Sequence, residues 1–200
     1  MLVLFCYAKA SQKAVTEDGD VVVLNDDGTW VYENRTEIIP AVIGQNPKLF
    51  SAPSNANFQL KSSRTNVAFK LDPKQWNFSK NEQGEAAEYN FKLKSGDLYA
   101  MAITEQLEIA LETLTDIAVD NARDAAPDIH VIKKEYRNVN GLKVIYMEME
   151  GTIQKVKFTY LGYYYSNASG SVQYLTYTGT NLVHKYREDI DQFLNGLVLQ

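Results

Sequence analysis

The chain has 200 residues, with 25 acidic and 20 basic side chains, two histidines and one cysteine. That length allows one large domain, or a domain of about 150 residues with a small module, and a core of that size needs neither metal nor disulfide. Hydrophobic residues at 45% and charged residues at 22% disfavour a disordered chain, a fibre or a coiled coil, and no apolar run approaches the ~18 residues of a membrane helix. The charge is uneven. Residues 11–40 hold seven acids against two bases, and residues 41–200 hold 18 against 17. No block is strongly basic, which argues against general nucleic-acid binding.

Residues 1–10 read as a signal-peptide remnant. An apolar run, Met1–Tyr7, precedes the small-x-small site Ala8-Lys9-Ala10, which places cleavage before Ser11. The alternative is a buried N-terminal strand. Cys6 would leave with the signal, and Phe5 spoils it as a lipid-attachment site. The mature chain would then carry no thiol and no disulfide framework.

Residues 11–39 read as a small acidic β-meander. Asp18-Gly19 and Asp27-Gly28 flank the β-branched run Val21–Leu24, and Asp-Gly suits tight hairpins because both central positions accept positive φ. A calcium loop fails at Val23, where its first Asp belongs. Residues 40–57, punctuated by Pro40, Pro47 and Pro53, read as a linker with the domain boundary near residue 56.

Residues 58–200 read as one α+β domain. Val67, Phe69 and Leu71 alternate along a strand, as do Tyr89, Phe91 and Leu93, and then Tyr99, Met101 and Ile103. Ser95-Gly96-Asp97 joins the last two strands. Glu105–Ala125 carries Leu107, Ala110, Leu111, Leu114, Ile117, Ala118 and Ala122 at helical spacing. Four antiparallel strands follow: 129–139, 142–150, 152–166 and 171–178. Asn140-Gly141 makes the first turn, Gly151 the second and Ser169-Gly170 the third. A last helix runs from Asn181 to about Leu197, its stripe being Tyr186, Ile190, Phe193, Leu194 and Leu197. This order predicts a central antiparallel sheet of about six strands with helices packed on it, and it excludes a doubly wound nucleotide fold.

The last 60 residues carry a family likeness. VNGLKVIYMEMEGTIQKVKFTYLGYYYS and VQYLTYTGTNLVHKYREDIDQFLNGL resemble the paired strands and the closing strand–helix unit of the PsbP-like fold. That family takes its name from an extrinsic photosystem subunit and includes a Ran-binding import factor and bacterial envelope proteins. Leu71–Trp76 loosely matches its early loop with Pro and then Trp. The resemblance spans residues 58–198 and implies an α-β-α sandwich that acts as a binding or assembly accessory. It transfers no active-site residue, and fold likeness alone does not name a partner.

Candidate chemistry is sparse. His130 and His184 are the only histidines, and both read as surface residues. No G-x-S-x-G, H-E-x-x-H, Walker or dinucleotide loop occurs. No metal-ligand set and no cofactor are expected. Asn34, Asn77 and Asn167 open Asn-x-Ser/Thr triplets, informative only in a eukaryotic secreted chain.

Glu108, Glu112, Asp116, Asp120 and Asp124 recur every four residues. Their four like-charge pairs cost about 1–2 kcal/mol in total. The stripe is a face for a basic partner or a divalent cation, or else a solvated helix face. In the strand 152–166, Val156, Phe158, Tyr160 and Tyr164 share a core face. Leu161, Tyr163 and Tyr165 share the other with Lys155 and Lys157. That second face, with Tyr177 on the next strand, is either an exposed interface patch or covered by the sandwich's second layer.

The sequence thus predicts a non-enzymatic, secreted or periplasmic binding accessory. It would contact an unidentified protein through Tyr163, Tyr165, Tyr177, Glu108, Glu112, Asp116 and Asp120, with no nucleic acid and no membrane span. The alternative is a small-ligand or divalent-cation binding protein of the envelope. A carboxylate hydrolase using Glu148 or Glu150 is the weakest option, because both lie on a strand face with Val144 and Tyr146 and nothing marks a cleft.

Overall fold

A computed structural model describes residues 12–15, 21–25, 28–32, 43–81 and 85–200. The chain forms two compact units, Met1–Pro40 and Ala41–Gln200. In the first, β1 (Gln12–Val15), β2 (Val21–Leu24) and β3 (Trp30–Tyr32) make a three-stranded antiparallel sheet in chain order. Gly28 supplies the positive φ, 83°, of its second turn. The signal-like segment 1–10, its cleavage site and Cys6 lie outside the described residues.

The second unit contains β4 (Gly44–Phe50), β5 (Phe58–Lys61), β6 (Val67–Leu71), β7 (Trp76–Lys80), β8 (Ala87–Leu93) and β9 (Tyr99–Glu105). Next come α1 (Leu111–Ala125), β10 (His130–Val139), β11 (Leu142–Ile153), β12 (Val156–Asn167), β13 (Gly170–Gly179), α2 (Val183–Leu194) and β14 (Leu197–Leu199). Eight strands form one sheet in the order β4-β10-β11-β12-β13-β9-β8-β7, and a smaller sheet runs β14-β6-β5. Because side chains alternate across the sheet, its two faces feed separate cores. One core joins Leu161, Tyr163, Val172, Tyr174 and Phe91 to Phe69, Trp76, Phe193 and Leu194, under α2 and the small sheet. The other joins Ile145, Met147, Met149 and Tyr164 to Leu114, Ala118 and Val119 of α1.

Several expectations change. The large sheet has eight strands rather than six, and it is mixed, because β4 runs parallel to β10. The stretch 44–50, expected as linker, is that edge strand. Pro47 is tolerated there because an edge strand does not need every N–H paired. β5, β7 and β14 also escape the sequence pattern. They are short, and four of the five β7 residues are exposed, so no alternation marks them.

α1 starts at Leu111, not Glu105. Glu105 instead pairs with Ser171, extending β9, and the N–H of Ile109 donates to Ser166 Oγ at 3.0 Å. The β11–β12 turn falls at Gln154-Lys155, both at positive φ (49° and 70°). Gly151 lies inside β11, where a Cβ would sit 2.8 Å from Ile129 Cδ1 and 2.9 Å from Ala126 Cβ. It serves close packing rather than a turn. The last helix ends at Leu194, and Leu197 opens β14, which pairs with β6. The α2 N-terminus has no side-chain cap, so Asn181 does not serve as one.

Candidate functional site

The tyrosines divide between the two sheet faces in the opposite sense to the lysine pattern. Tyr163 is 1% exposed and Tyr165 9%. Both lie in the core beneath α2 and the small sheet, so this face is covered and neither residue can meet a partner. The hydroxyl of Tyr163 donates to Asn195 Oδ1 at 2.9 Å and accepts from Arg137 Nη1 at 3.3 Å. Lys155 and Lys157, which suggested an open face, are exposed at the hairpin end.

The face expected to be core is the one left partly open. α1 packs on β11 and β12. Further along the sheet, Tyr160, Tyr177 and Tyr99 stand in one cross-strand row, each half-exposed. Their rings stack at 5.8 and 5.5 Å between centroids, and Lys92 Nζ sits 5.2 Å over Tyr99. Half-buried Met101 and Ile103 flank the row. Burial, helped by each next tyrosine, pushes the Tyr160 and Tyr177 hydroxyls above their ordinary range. Of the two β13 tyrosines, Tyr177 faces this row, whereas Tyr174 is buried on the α2 side.

The acidic stripe is largely committed within the chain. Glu108 precedes α1 and lies in the β9–α1 loop. Glu112 accepts from the Tyr136 hydroxyl, Asp116 pairs with Lys134 Nζ at 3.1 Å, and Asp120 pairs with Arg123. The Tyr136 hydrogen bond holds Glu112 below its ordinary range. The same bond, with burial, pushes Tyr136 up to about 12. Among the described residues no three His, Cys, Asp or Glu side chains gather in one place. His130 and His184 are both exposed.

A polar network lies under α2 that the sequence pattern did not single out. Arg137, 7% exposed, sets its guanidinium 3.6 Å over the Tyr146 ring, and Arg137 Nε donates to Glu135 Oε1 at 2.6 Å. Burial would raise the Glu135 carboxyl, but hydrogen bonds from Asn46, Arg137 and Lys133 outweigh it and lower its pKa. Tyr146 donates to Glu148 Oε2 at 2.9 Å, and Arg187 lies 3.7 Å from the same oxygen. Glu150 accepts from Thr159 Oγ1 at 3.3 Å. The available signal was parity. Glu135 and Arg137 share a strand face with buried Val139, so they had to be buried as a pair. Each carboxylate offered for hydrolysis thus already has a partner, and burial raises the Tyr146 hydroxyl further.

The residues behind the family likeness hold the layers together. Asn140 and Gly141 take the positive φ values (52° and 83°) of a tight hairpin. Asn140 Nδ2 donates to the carbonyls of Asn195 and Leu197 at 2.8 Å, and its Oδ1 accepts from the N–H of Ala52. A Cβ on Gly196 would lie 2.0 Å from the Lys70 carbonyl, so β14 meets β6 only through glycine. Trp76 packs 4.2 Å from the Phe193 ring.

No protein-family model matches the chain, and no curated protein matches it in sequence. Solved structures do match. The cyanobacterial PsbP of Synechocystis superposes with a TM-score of 0.58 at 12% identity, over 72% of this chain and 92% of that one. LpqN of Mycobacterium tuberculosis, described as involved in cell envelope biogenesis, gives a TM-score of 0.51 at 8% identity, over 72% and 90%. At these identities the likeness is one of fold. The chain has a PsbP-like fold.

Proposed function

We propose that this chain is a non-enzymatic accessory of the cell envelope, secreted or periplasmic, that acts through protein–protein contacts. Its docking surface is the tyrosine row Tyr160, Tyr177 and Tyr99 with Lys92 at its end. The observation that carries this reading is the half-exposed row itself. It begins on β12, at the margin of the core under α1, and runs across β13 to β9. Tyrosines of this kind are enriched at interfaces because one end is apolar and the other wet. The rings cover one another's faces, so the row presents edges and hydroxyls rather than flat platforms. The envelope role of LpqN and the shared fold support the setting.

Tyr177 is the one sequence-picked tyrosine on this surface. Glu108, Glu112, Asp116 and Asp120 lie on or beside α1, on the same side of the sheet, and extend the surface for a partner with basic residues. The test is stoichiometric co-purification of the native, tagged protein, repeated with Tyr99→Ser/Tyr177→Ser. The expected result is one dominant partner that the double variant loses while its unfolding midpoint shows it still folds. Retention of that partner by the folded variant, or no partner above background with the unaltered chain, would overturn the reading.

A further inference from the structure

A cavity of about 590 Å3 opens where the β5–β6 loop meets the ends of β7 and β9. Its volume falls in the range of small-molecule sites, about 300–1,000 Å3, but among the described residues its wall carries no apolar side chain. Arg64 and Ser63 come from the loop, Lys80 and Asn81 from the end of β7, and Glu105 and Gln106 from the end of β9.

Behind this wall lies Glu88, 1% exposed. Its Oε2 accepts from Ser62 Oγ and Thr104 Oγ1, both at 2.6 Å. Its Oε1 accepts from the N–H and the hydroxyl of Ser63, both at 2.7 Å. Burial would raise this carboxyl, yet the four donors outweigh it and hold it below its ordinary range. Among the described residues this buried carboxylate is thus in direct contact with neutral donors only. The cations stand one step away. Lys80 Nζ donates to Ser63 Oγ at 3.0 Å, and Arg64 reaches the carbonyls of Glu85 and Thr104 at 3.3–3.4 Å, longer than a good N–H···O bond. Among the described residues neither cation has a carboxylate at ion-pair distance, and Glu105 has no cation there.

Glu88 therefore fixes the loop that presents Arg64 and leaves that guanidinium with spare donors, since it has five N–H groups. The wall itself carries two cations, Arg64 and Lys80, and one carboxylate, Glu105. A ligand that carries both charges meets complementary groups there. We propose that this cavity binds a free α-amino acid, its carboxylate on Arg64 and Lys80 and its ammonium on Glu105. Asn81 is committed to the Ala87 carbonyl and to Asn90, so Gln106 is the amide left to hydrogen-bond the ligand.

The experiment is thermal unfolding of the full chain with millimolar glycine, L-glutamine, acetate or methylammonium. The same series is run on Arg64→Gln, Lys80→Met, Glu105→Gln and the control Lys92→Met, each first melted without ligand to confirm folding. The expected result is that an amino acid raises the melting temperature and that acetate and methylammonium bind more weakly. Arg64→Gln and Lys80→Met each lose about tenfold in affinity, the scale of one charge-assisted hydrogen bond. Glu105→Gln binds acetate as well as glycine, and Lys92→Met is unchanged. No shift with either amino acid overturns the proposal, as does a shift that survives in both Arg64→Gln and Lys80→Met. Acetate binding the unaltered chain as tightly as glycine overturns the assignment of a zwitterion.

Discussion

The two faces of the eight-stranded sheet are built from the same strands, and both carry tyrosines, yet those tyrosines do different work. Under α2 and the small sheet, Phe69, Phe91, Tyr174, Trp76 and Phe193 interlock at 4.2–6.4 Å. Trp76 sits in that core, and Asn140 and Gly196 tie its margin. On the α1 side, one helix packs on β11 and β12, and the tyrosine row, which starts on β12 at the margin of that core, stays half-exposed. Aromatic content does not separate a core from a surface here. The width of the covering layer does, because a helix with its side chains is only about 10–12 Å across.

Truncation on each face tests this contrast most severely. Phe193→Ala removes a ring packed against Trp76, Phe91 and Tyr174 and is expected to cost about 3–5 kcal/mol. Tyr177→Ala removes one half-exposed ring that stacks on two others and is expected to cost about 1 kcal/mol. Urea unfolding of both variants reads the difference. Equal losses would mean that the open row is as tightly held as the core.

Glu88 sharpens the comparison from the edge of the α2-side layer. Glu88→Gln replaces an acceptor of four hydrogen bonds with an amide that turns a donor toward hydroxyls already donating. The expected loss at neutral pH is about 3 kcal/mol. The folded carboxyl sits below its ordinary value of 4.5. Its stabilisation is therefore fully present above the unfolded value and is lost as pH falls through the folded one. Acid unfolding of the unaltered chain should show that limb, and Glu88→Gln should flatten it. An unchanged acid limb would show that Glu88 is not ionised in the folded protein.

Tyr174 predicts a change of opposite sign. Its hydroxyl is fully buried and has no hydrogen-bond partner among the described residues, while its ring stacks on Phe69 and Phe193. Tyr174→Phe keeps the rings and removes the unpaired group, so stability should rise by about 1 kcal/mol. A loss on chemical denaturation would reveal a partner for that hydroxyl, such as a buried water.

Much of the fold was legible because the long strands alternate cleanly. The core positions of β6, β8, β9 and β13, the Asn140-Gly141 turn and the stripe of α2 can be read from spacing. What escaped has physical causes. β4 carries a proline and pairs in parallel at an edge. β14 is three residues long and depends on Gly196 approaching Lys70. The tyrosine faces were misjudged because alternation tells which residues share a face but not how wide the covering layer is. Lys155 and Lys157 marked the hairpin end, not the exposure of Tyr163. The cavity at Arg64 was illegible for another reason: it joins β5–β6, β7 and β9 residues that no local pattern links.

The smallest expected effect on stability lies on the α1 side, where the acids of the helix are tied to β10. Glu112 accepts from the Tyr136 hydroxyl across the helix–strand gap, and this bond, with burial, lifts the Tyr136 pKa to about 12. A raised tyrosine pKa means that the bond's contribution is complete below the unfolded value near 10. It is lost as pH rises through the folded one. Glu112→Gln should therefore bring the Tyr136 titration, followed by phenolate absorbance, down toward 10 with little change in the urea midpoint at neutral pH. A titration that stays near 12 would mean that burial, not Glu112, sets it. The carboxylate would then be free for a partner, and the acidic stripe would stand beside the tyrosine row as an equal part of the docking surface.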